Sequence, residues 1–372
     1  MLKVGITGQA GFVGKHLFNA IGLHPKEFVL IDFKRHYFDD ESKLNEFVSE
    51  CDVIVHLAGM NRHNDPQTIY NTNIDLAKKI IKSLEFTDSR AHVIFSSSTQ
   101  EENENLYGKS KKDSRELFVN WAKRSKGKFT GMIIPNVFGP FGHPNYNSVV
   151  ATFSHKIARN EIPKIEVDNT IKLIYVGELV EVILEEIKKN EGNHLIQVKH
   201  TSECTVSKLL SLLNSYKEQY QDKGQIPVLD NKFELNLFNT YRCYIDFKEY
   251  FPVKFTQHAD ERGSFVEIIR LGVGGQVSFS TTVPGITRGN HFHTRKIERF
   301  AVIKGKALIQ LRRIDSDEIL EFYLDGDNPA YVDMPIWYTH NIKNIGSDIL
   351  YTNFWINEFF DPNDPDTYLL EV

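Results

Sequence analysis

At 372 residues the chain exceeds one ordinary domain and suits two. Hydrophobic residues at 41% and charged residues at 25% supply packed cores and exclude a disordered chain. A net charge of -5 without a long lysine or arginine run argues against nucleic acid or an anionic membrane surface as a partner. Cys51, Cys204 and Cys243 are far apart and odd in number, the start lacks a signal-peptide pattern, and no apolar run approaches the roughly 20 residues of a membrane span. The expectation is a cytoplasmic protein without membrane insertion.

From residue 1 to about 245, β-rich runs alternate with helical periodicity. "LKVGIT", "FVLID", "DVIVHL", "HVIFSS" and "GMIIPN" read as strands of a parallel, doubly wound, Rossmann-like α/β sheet. The first strand runs into Gly8, Gly11 and Gly14, where absent side chains permit a tight turn and close approach to a pyrophosphate. The next helix then presents the backbone amides of Phe12 and Val13 to the phosphates. Asp32, ending the second strand, favours the free ribose of NAD, whereas Lys34 and Arg35 favour the 2'-phosphate of NADP.

The G-x-x-G-x-x-G spacing resembles the extended short-chain dehydrogenase/reductase family. Leu57 and Ala58 of "HLAG", and Asn73 in the helix beyond, match residues that the family places at its cofactor. Tyr107 and Lys111 match its Y-x-x-x-K pair. On a helix those positions share a face, so the ammonium can lower the phenol pKa and hold the nicotinamide ribose while the phenol delivers a proton to a carbonyl. Ser98 is the expected third member of the catalytic trio, with Ser97 its rival. Arg62 is a candidate for a substrate diphosphate, and Asn136, Asn145 and Asn147 for sugar or uracil groups, although such amides also cap turns.

After the helical "TVSKLLSLLNSYKEQYQDKG" and an expected irregular stretch at 225 to 250, the pattern changes to short strands between Gly, Pro and Asp turns. This predicts an all-β jelly-roll barrel over 246–372, following a first domain of 1–245. Gly285, His291, His293, Glu298 and Gly305 match the first motif of the cupins, and Pro335, His340 and Asn344 the second, with Trp337 in place of its glycine. The resemblance implies a divalent metal, with zinc the leading choice, held by His291, His293, Glu298 and His340. "DERGSFVE", "GITRGNHF" and "MPIWYTHNI" also resemble the nucleotide-sugar 3,5-epimerases. That likeness implies substrate contacts from Arg262 and Arg288 and gives His291 a second candidate role, as a base.

The two halves in this order resemble the bifunctional capsular polysaccharide synthesis enzymes of the CapF family. The resemblance implies a homodimer acting on a UDP-linked 4-keto-6-deoxy amino sugar. The cupin would epimerise C3 of a UDP-2-acetamido-2,6-dideoxy-4-hexulose, and the reductase would use NADPH, in preference to NAD, to reduce the C4 ketone. The product, UDP-2-acetamido-2,6-dideoxy-L-talose, would feed N-acetyl-L-fucosamine synthesis. The rival readings are a nucleotide-sugar reductase or 4-epimerase with a structural cupin, and a non-catalytic nucleotide sensor.

Overall fold

The computed structural model describes residues 1–125, 127–260, 263–266, 268–269, 271–272 and 274–372. The chain forms two compact units, one of Met1–Thr152 and Ile165–Val206, the other of Phe153–Lys164 and Ser207–Val372.

The first unit contains β1 (Leu2–Thr7), α1 (Phe12–Gly22), β2 (Phe28–Ile31), α2 (Glu41–Glu50), β3 (Val53–His56), α3 (Pro66–Phe86), β4 (His92–Ser98), α4 (Leu106–Ser125) and β5 (Phe129–Ile134). It continues through β6 (Asn136–Phe138), the start of α5 (Val149–Ala158), β7 (Thr170–Tyr175), α6 (Val176–Lys189), β8 (His194–Gln197) and β9 (Ser202–Thr205). The five runs read as strands are β1 to β5. Six strands form a parallel sheet in the order β2-β1-β3-β4-β5-β8. Its apolar faces are covered on both sides: Phe47, Ile80, Phe118 and Trp121 pack on one, Leu17, Ile21, Leu179 and Ile183 on the other. Burial on two faces is why these strands read as continuous apolar runs. The strand order reverses between β1 and β3, which opens a crevice at their carboxyl ends.

The second unit takes the end of α5 and nearly all of α7 (Val206–Tyr216), and contains α8 (Lys232–Arg242) and α9 (Phe247–Tyr250). The expected irregular stretch is therefore largely helical. Asn231 caps α8 by accepting from the Glu234 N–H at 3.0 Å, and Leu237, Phe238 and Tyr241 are buried on its inner face. Then follow β10 (Val253–Lys254), β11 (Gln257–Asp260), β12 (Gly263–Val266), β13 (Gln276–Thr282), β14 (Thr287–Phe292), β15 (Glu298–Lys304) and β16 (Lys306–Arg313). The last strands are β17 (Ile319–Asp325), β18 (Ala330–Met334), β19 (Tyr338–Asn344), β20 (Leu350–Ile356) and β21 (Tyr368–Leu369). Two five-stranded sheets, β10-β18-β15-β20-β13 and β17-β16-β19-β14-β21, are antiparallel throughout, the pattern expected of a cupin.

The helices after residue 206 are tied to this β structure by a buried polar network. Arg299 of β15 donates from Nε and Nη2 to both oxygens of Asp333 at 2.8 and 3.0 Å, and its guanidinium lies 3.7 Å from the centre of the Tyr331 ring. Tyr220 donates to Asp333 at 2.6 Å, and Arg242 donates to the Met334 carbonyl at 3.2 Å.

Candidate functional sites

In the first unit the glycine turn is shaped by exclusion. Gly8 has φ +78, and a Cβ there would lie 2.7 Å from the Ala58 backbone nitrogen. Gly11 precedes α1 without any side-chain cap on the helix N-terminus, so first-turn amides of α1 keep no side-chain acceptor and suit a pyrophosphate. A cleft of about 920 Å³ opens there, lined among others by Gly8, Gly11, Phe12, Val13, Leu57, Ser97, Ser98, Tyr107 and Lys111. Asn136, Asn145, Tyr146 and Asn147 line it as well. These features fit a dinucleotide.

Five expected cofactor contacts, Asp32, Lys34, Arg35, Ala58 and Asn73, stand back from the lining. Asp32 and Lys34 are exposed at the end of β2, 3.7 Å apart, with Gln9 of the glycine turn donating to Asp32 at 3.3 Å; Arg35 opens the next, short helix. Ala58 donates from its backbone to the Thr7 hydroxyl at 3.4 Å. Asn73 is buried and fully engaged: its amide accepts from Met60 N–H at 2.7 Å and donates to the Met60 carbonyl and the Ser110 hydroxyl, each at 2.9 Å. It fixes the loop after β3 against α4.

At the head of α4, Tyr107 lines the cleft beside Ser98, and burial raises its phenol pKa while the Ser98 hydroxyl works to lower it. Ser97 is committed elsewhere, donating to Glu101. Lys111 is buried, donates to the Ser96 carbonyl at 2.8 Å and sits 5.1 Å from the centre of the Phe95 ring. Burial pushes its ammonium down to about 8 against the opposing pull of Glu101. Burial is the larger influence on Tyr107, and the Lys111 ammonium is held at the Ser96 carbonyl. Arg62 donates to the carbonyls of Asn145 and Tyr146 at 2.7 and 2.6 Å. It holds the loop that lines the cleft, a role its sequence position did not suggest.

In the second unit His291, His293, Glu298 and His340 converge, with one ligand atom from each inside a 4.8 Å group. The imidazoles come from or beside β14 and β19, and Glu298 opens β15 of the other sheet. Glu298 Oε2 lies 3.0 Å from His293 Nε2 and 3.2 Å from His340 Nε2, yet these three buried atoms have no hydrogen-bond partner. The far sides of the rings explain this. His293 Nδ1 meets the Asp366 carbonyl, and His340 Nδ1 the Tyr338 carbonyl at 3.2 Å. Carbonyls only accept, so each Nδ1 carries the hydrogen and each Nε2 turns a lone pair to the carboxylate. Acceptors facing acceptors in a buried site call for a cation, and the donor set suits a borderline divalent metal. Burial, then the neighbouring His340, pushes His291 down to about 4.

The surroundings contribute residues that sequence reading missed. The Asp366 carboxylate accepts from the N–H groups of Thr294, Arg295 and Lys296 at 3.0, 3.0 and 3.1 Å, pinning the turn between His293 and Glu298. Trp337, at the motif's glycine position, keeps a left-handed φ of 62. Its N–H donates to the His293 carbonyl at 2.7 Å and its ring stacks on Phe292. Arg288 is exposed at the start of β14 and reaches the Thr281 carbonyl at 3.5 Å. Arg262 lies outside the described residues.

Residues 4–198 match the NAD dependent epimerase/dehydratase family, and residues 258–368 match the polysaccharide biosynthesis C-terminal domain. The chain is 32% identical to a UDP-2-acetamido-2,6-beta-L-arabino-hexul-4-ose reductase of Pseudomonas aeruginosa, with 100% of this chain and 99% of that protein covered. It is 36% identical to the solved structure of the capsular polysaccharide assembling protein CapF from Staphylococcus aureus, with a TM-score of 0.65 and both chains covered in full. The fold of the first half is shared by RMD from Pseudomonas aeruginosa, solved in complex with NADPH, at 20% identity and a TM-score of 0.54 over 59% of this chain and 84% of that one.

Proposed function

The chain belongs to the NAD dependent epimerase/dehydratase family and, over its whole length, to the CapF-like UDP-sugar 4-ketoreductases that add a polysaccharide biosynthesis C-terminal domain; from that premise we propose a two-step reaction. The second unit epimerises C3 of a UDP-2-acetamido-2,6-dideoxy-4-hexulose, and the first reduces the C4 ketone to UDP-2-acetamido-2,6-dideoxy-L-talose.

The convergence of Ser98, Tyr107 and Lys111 on one cleft carries the reductase assignment. A bound NADPH supplies the hydride that C4 accepts. Tyr107 gives its phenolic proton to the C4 oxygen as that bond forms, and Ser98 holds the oxygen in line. Lys111, fixed by the Ser96 carbonyl, stabilises the phenolate left behind. The C=O becomes CH–OH with one hydride on carbon and one proton on oxygen. Asn136, Asn145 and Asn147 line the space left for the sugar nucleotide, while Arg62 sets the shape of that loop.

For C3, the ketone already acidifies the adjacent proton, and a divalent metal, zinc in this proposal, would supply Lewis-acid stabilisation of the developing enolate. His293, Glu298 and His340 would hold the ion. His291, the most accessible of the four, completes the set or moves the C3 proton. We further propose that the chemistries divide between residues 1–245 and 246–372, that the protein works as a cytoplasmic homodimer, and that Lys34 and Arg35 select NADPH. No described helix is long and apolar enough to cross a membrane.

The experiment is incubation with UDP-2-acetamido-2,6-dideoxy-4-hexuloses in deuterated water, with and without NADPH. C3 deuteration without NADPH and NADPH oxidation with it are expected. Oxidation without any C3 exchange would reduce the second unit to a structural module.

A further inference from the structure

Tyr107 and Lys111 lie one helical turn apart on α4, and the next residue on the same face is Arg115. Arg115 grips Glu101 as a fork, with Nε 2.9 Å from Oε1 and Nη2 2.7 Å from Oε2. Both side chains are largely buried, at 13% and 7% exposure, so solvent screens this pair little. Glu101 belongs to the short turn Thr99–Glu102, which directly follows β4 and for which Ser98 is the cap, accepting from Gln100 N–H at 3.2 Å. The same carboxylate takes the Ser97 hydroxyl. The turn presses so closely on α4 that a Cβ at Gly108 would lie 1.9 Å from the Gln100 carbonyl oxygen. Ser98 therefore has its place relative to Tyr107 set by one short turn, anchored at its far end by Glu101.

We propose that Glu101 and Arg115 are positioning residues for ketone reduction: their ion pair docks the Ser98 turn on the α4 face that carries Tyr107 and Lys111. This rests on the reductase reading above. From β3, His56 lies near Lys111, and burial and then Lys111 push it down to about 3, leaving it neutral; among the described residues Glu101 is the negative charge that acts on Lys111. Removing that charge lets burial act on Lys111 unopposed, so its proton is lost at lower pH.

The test uses the full-length protein with NADPH and a pre-epimerised 4-keto sugar. The native enzyme must first oxidise NADPH, and failure there sinks the reductase reading alone. Given that activity, Glu101→Gln should lower kcat at least tenfold with the sugar KM within twofold, and should move the alkaline limb of the rate profile down by at least half a pH unit. Glu101→Asp, which keeps the charge on a shorter arm, should hold the limb at its native position while kcat falls. A native kcat and unmoved limb in Glu101→Gln would overturn the inference. Should Glu101→Gln fail to fold by circular dichroism, Glu101→Asp and Arg115→Lys carry the test, and a native kcat in both would overturn it as firmly.

Discussion

His291 and His340 are register partners across β14 and β19, with ring centroids 4.5 Å apart. A bulge between Gly289 and His291 shifts the pairing just before them, and Asn290 in it takes a left-handed φ of 58. Bulges re-aim side chains, and this one sets how His291 meets His293 and His340. The ligand role and the base role of His291 predict different variants. As a ligand, His291→Asn lowers bound metal together with C3 exchange; as the base, it stops exchange with metal retained. Metal stoichiometry and deuterium uptake on one sample separate the two.

Glu298→Ala should lower bound metal and slow C3 exchange, because the one anionic donor is lost and the remaining imidazoles hold the ion less firmly. Reduction of a pre-epimerised ketone should continue. A metal-replete variant with native exchange but a lower melting temperature would assign the ion a purely structural part.

Tyr107→Phe should abolish ketone reduction while metal content and C3 exchange stay native, since the phenol acts only in the cleft of the first unit. NADPH oxidation and deuterium uptake, measured in parallel, check it. Loss of exchange in this variant would show the two chemistries to be inseparable.

The pH dependence of kcat/KM for reduction should show an alkaline limb near 8. Lys111 must be charged to stabilise the phenolate, and burial brings its pKa from the ordinary 10.5 to about 8, so activity is full below that value and falls above it. The sign for stability is the reverse. Between about 8 and 10.5 the unfolded chain binds a proton at this residue that the folded chain does not, so this group's contribution to stability rises with pH across that window. Steady-state rates from pH 6 to 10 test the first statement, and denaturant midpoints the second.

Asp333→Ala should destabilise the second unit by about 3–5 kcal/mol, because Arg299 is left charged and buried without its partner. Tyr220→Phe, which removes a single hydrogen bond to that carboxylate, should cost about 2 kcal/mol. Urea titration followed at the transition of the second unit gives both values, and a smaller loss in Asp333→Ala than in Tyr220→Phe would contradict the ranking.

The strands of the first sheet were legible because burial on both faces writes itself as unbroken Val, Ile and Phe runs. The metal-type cluster was legible because His291, His293 and Glu298 are close in the chain. Helix α8 escaped because Asn236 and Asn239 look like loop residues, although both are buried, with Asn239 donating to the Arg295 carbonyl at 3.1 Å. Ser97 and Ser98 were indistinguishable as neighbours on one strand; the pull of Glu101 on one and Tyr107 on the other emerges only in three dimensions. Arg62 was assigned to a phosphate on its charge, and charge does not reveal that backbone carbonyls are the acceptors. Asp366 gave no signal, because its partners lie some seventy positions earlier, in Thr294, Arg295 and Lys296.

That separation imposes an order on synthesis. A chain emerging from its N-terminus presents the whole reductase half, then all four candidate ligands, before Asp366 leaves the ribosome. Until it does, the turn between His293 and Glu298 lacks its anchor, and His293 lacks the carbonyl that orients its ring. The nascent protein would thus shape the cleft of its first half early and bring His291, His293, Glu298 and His340 into their final arrangement only near the close of translation, so a prematurely terminated chain would keep the first site without the second.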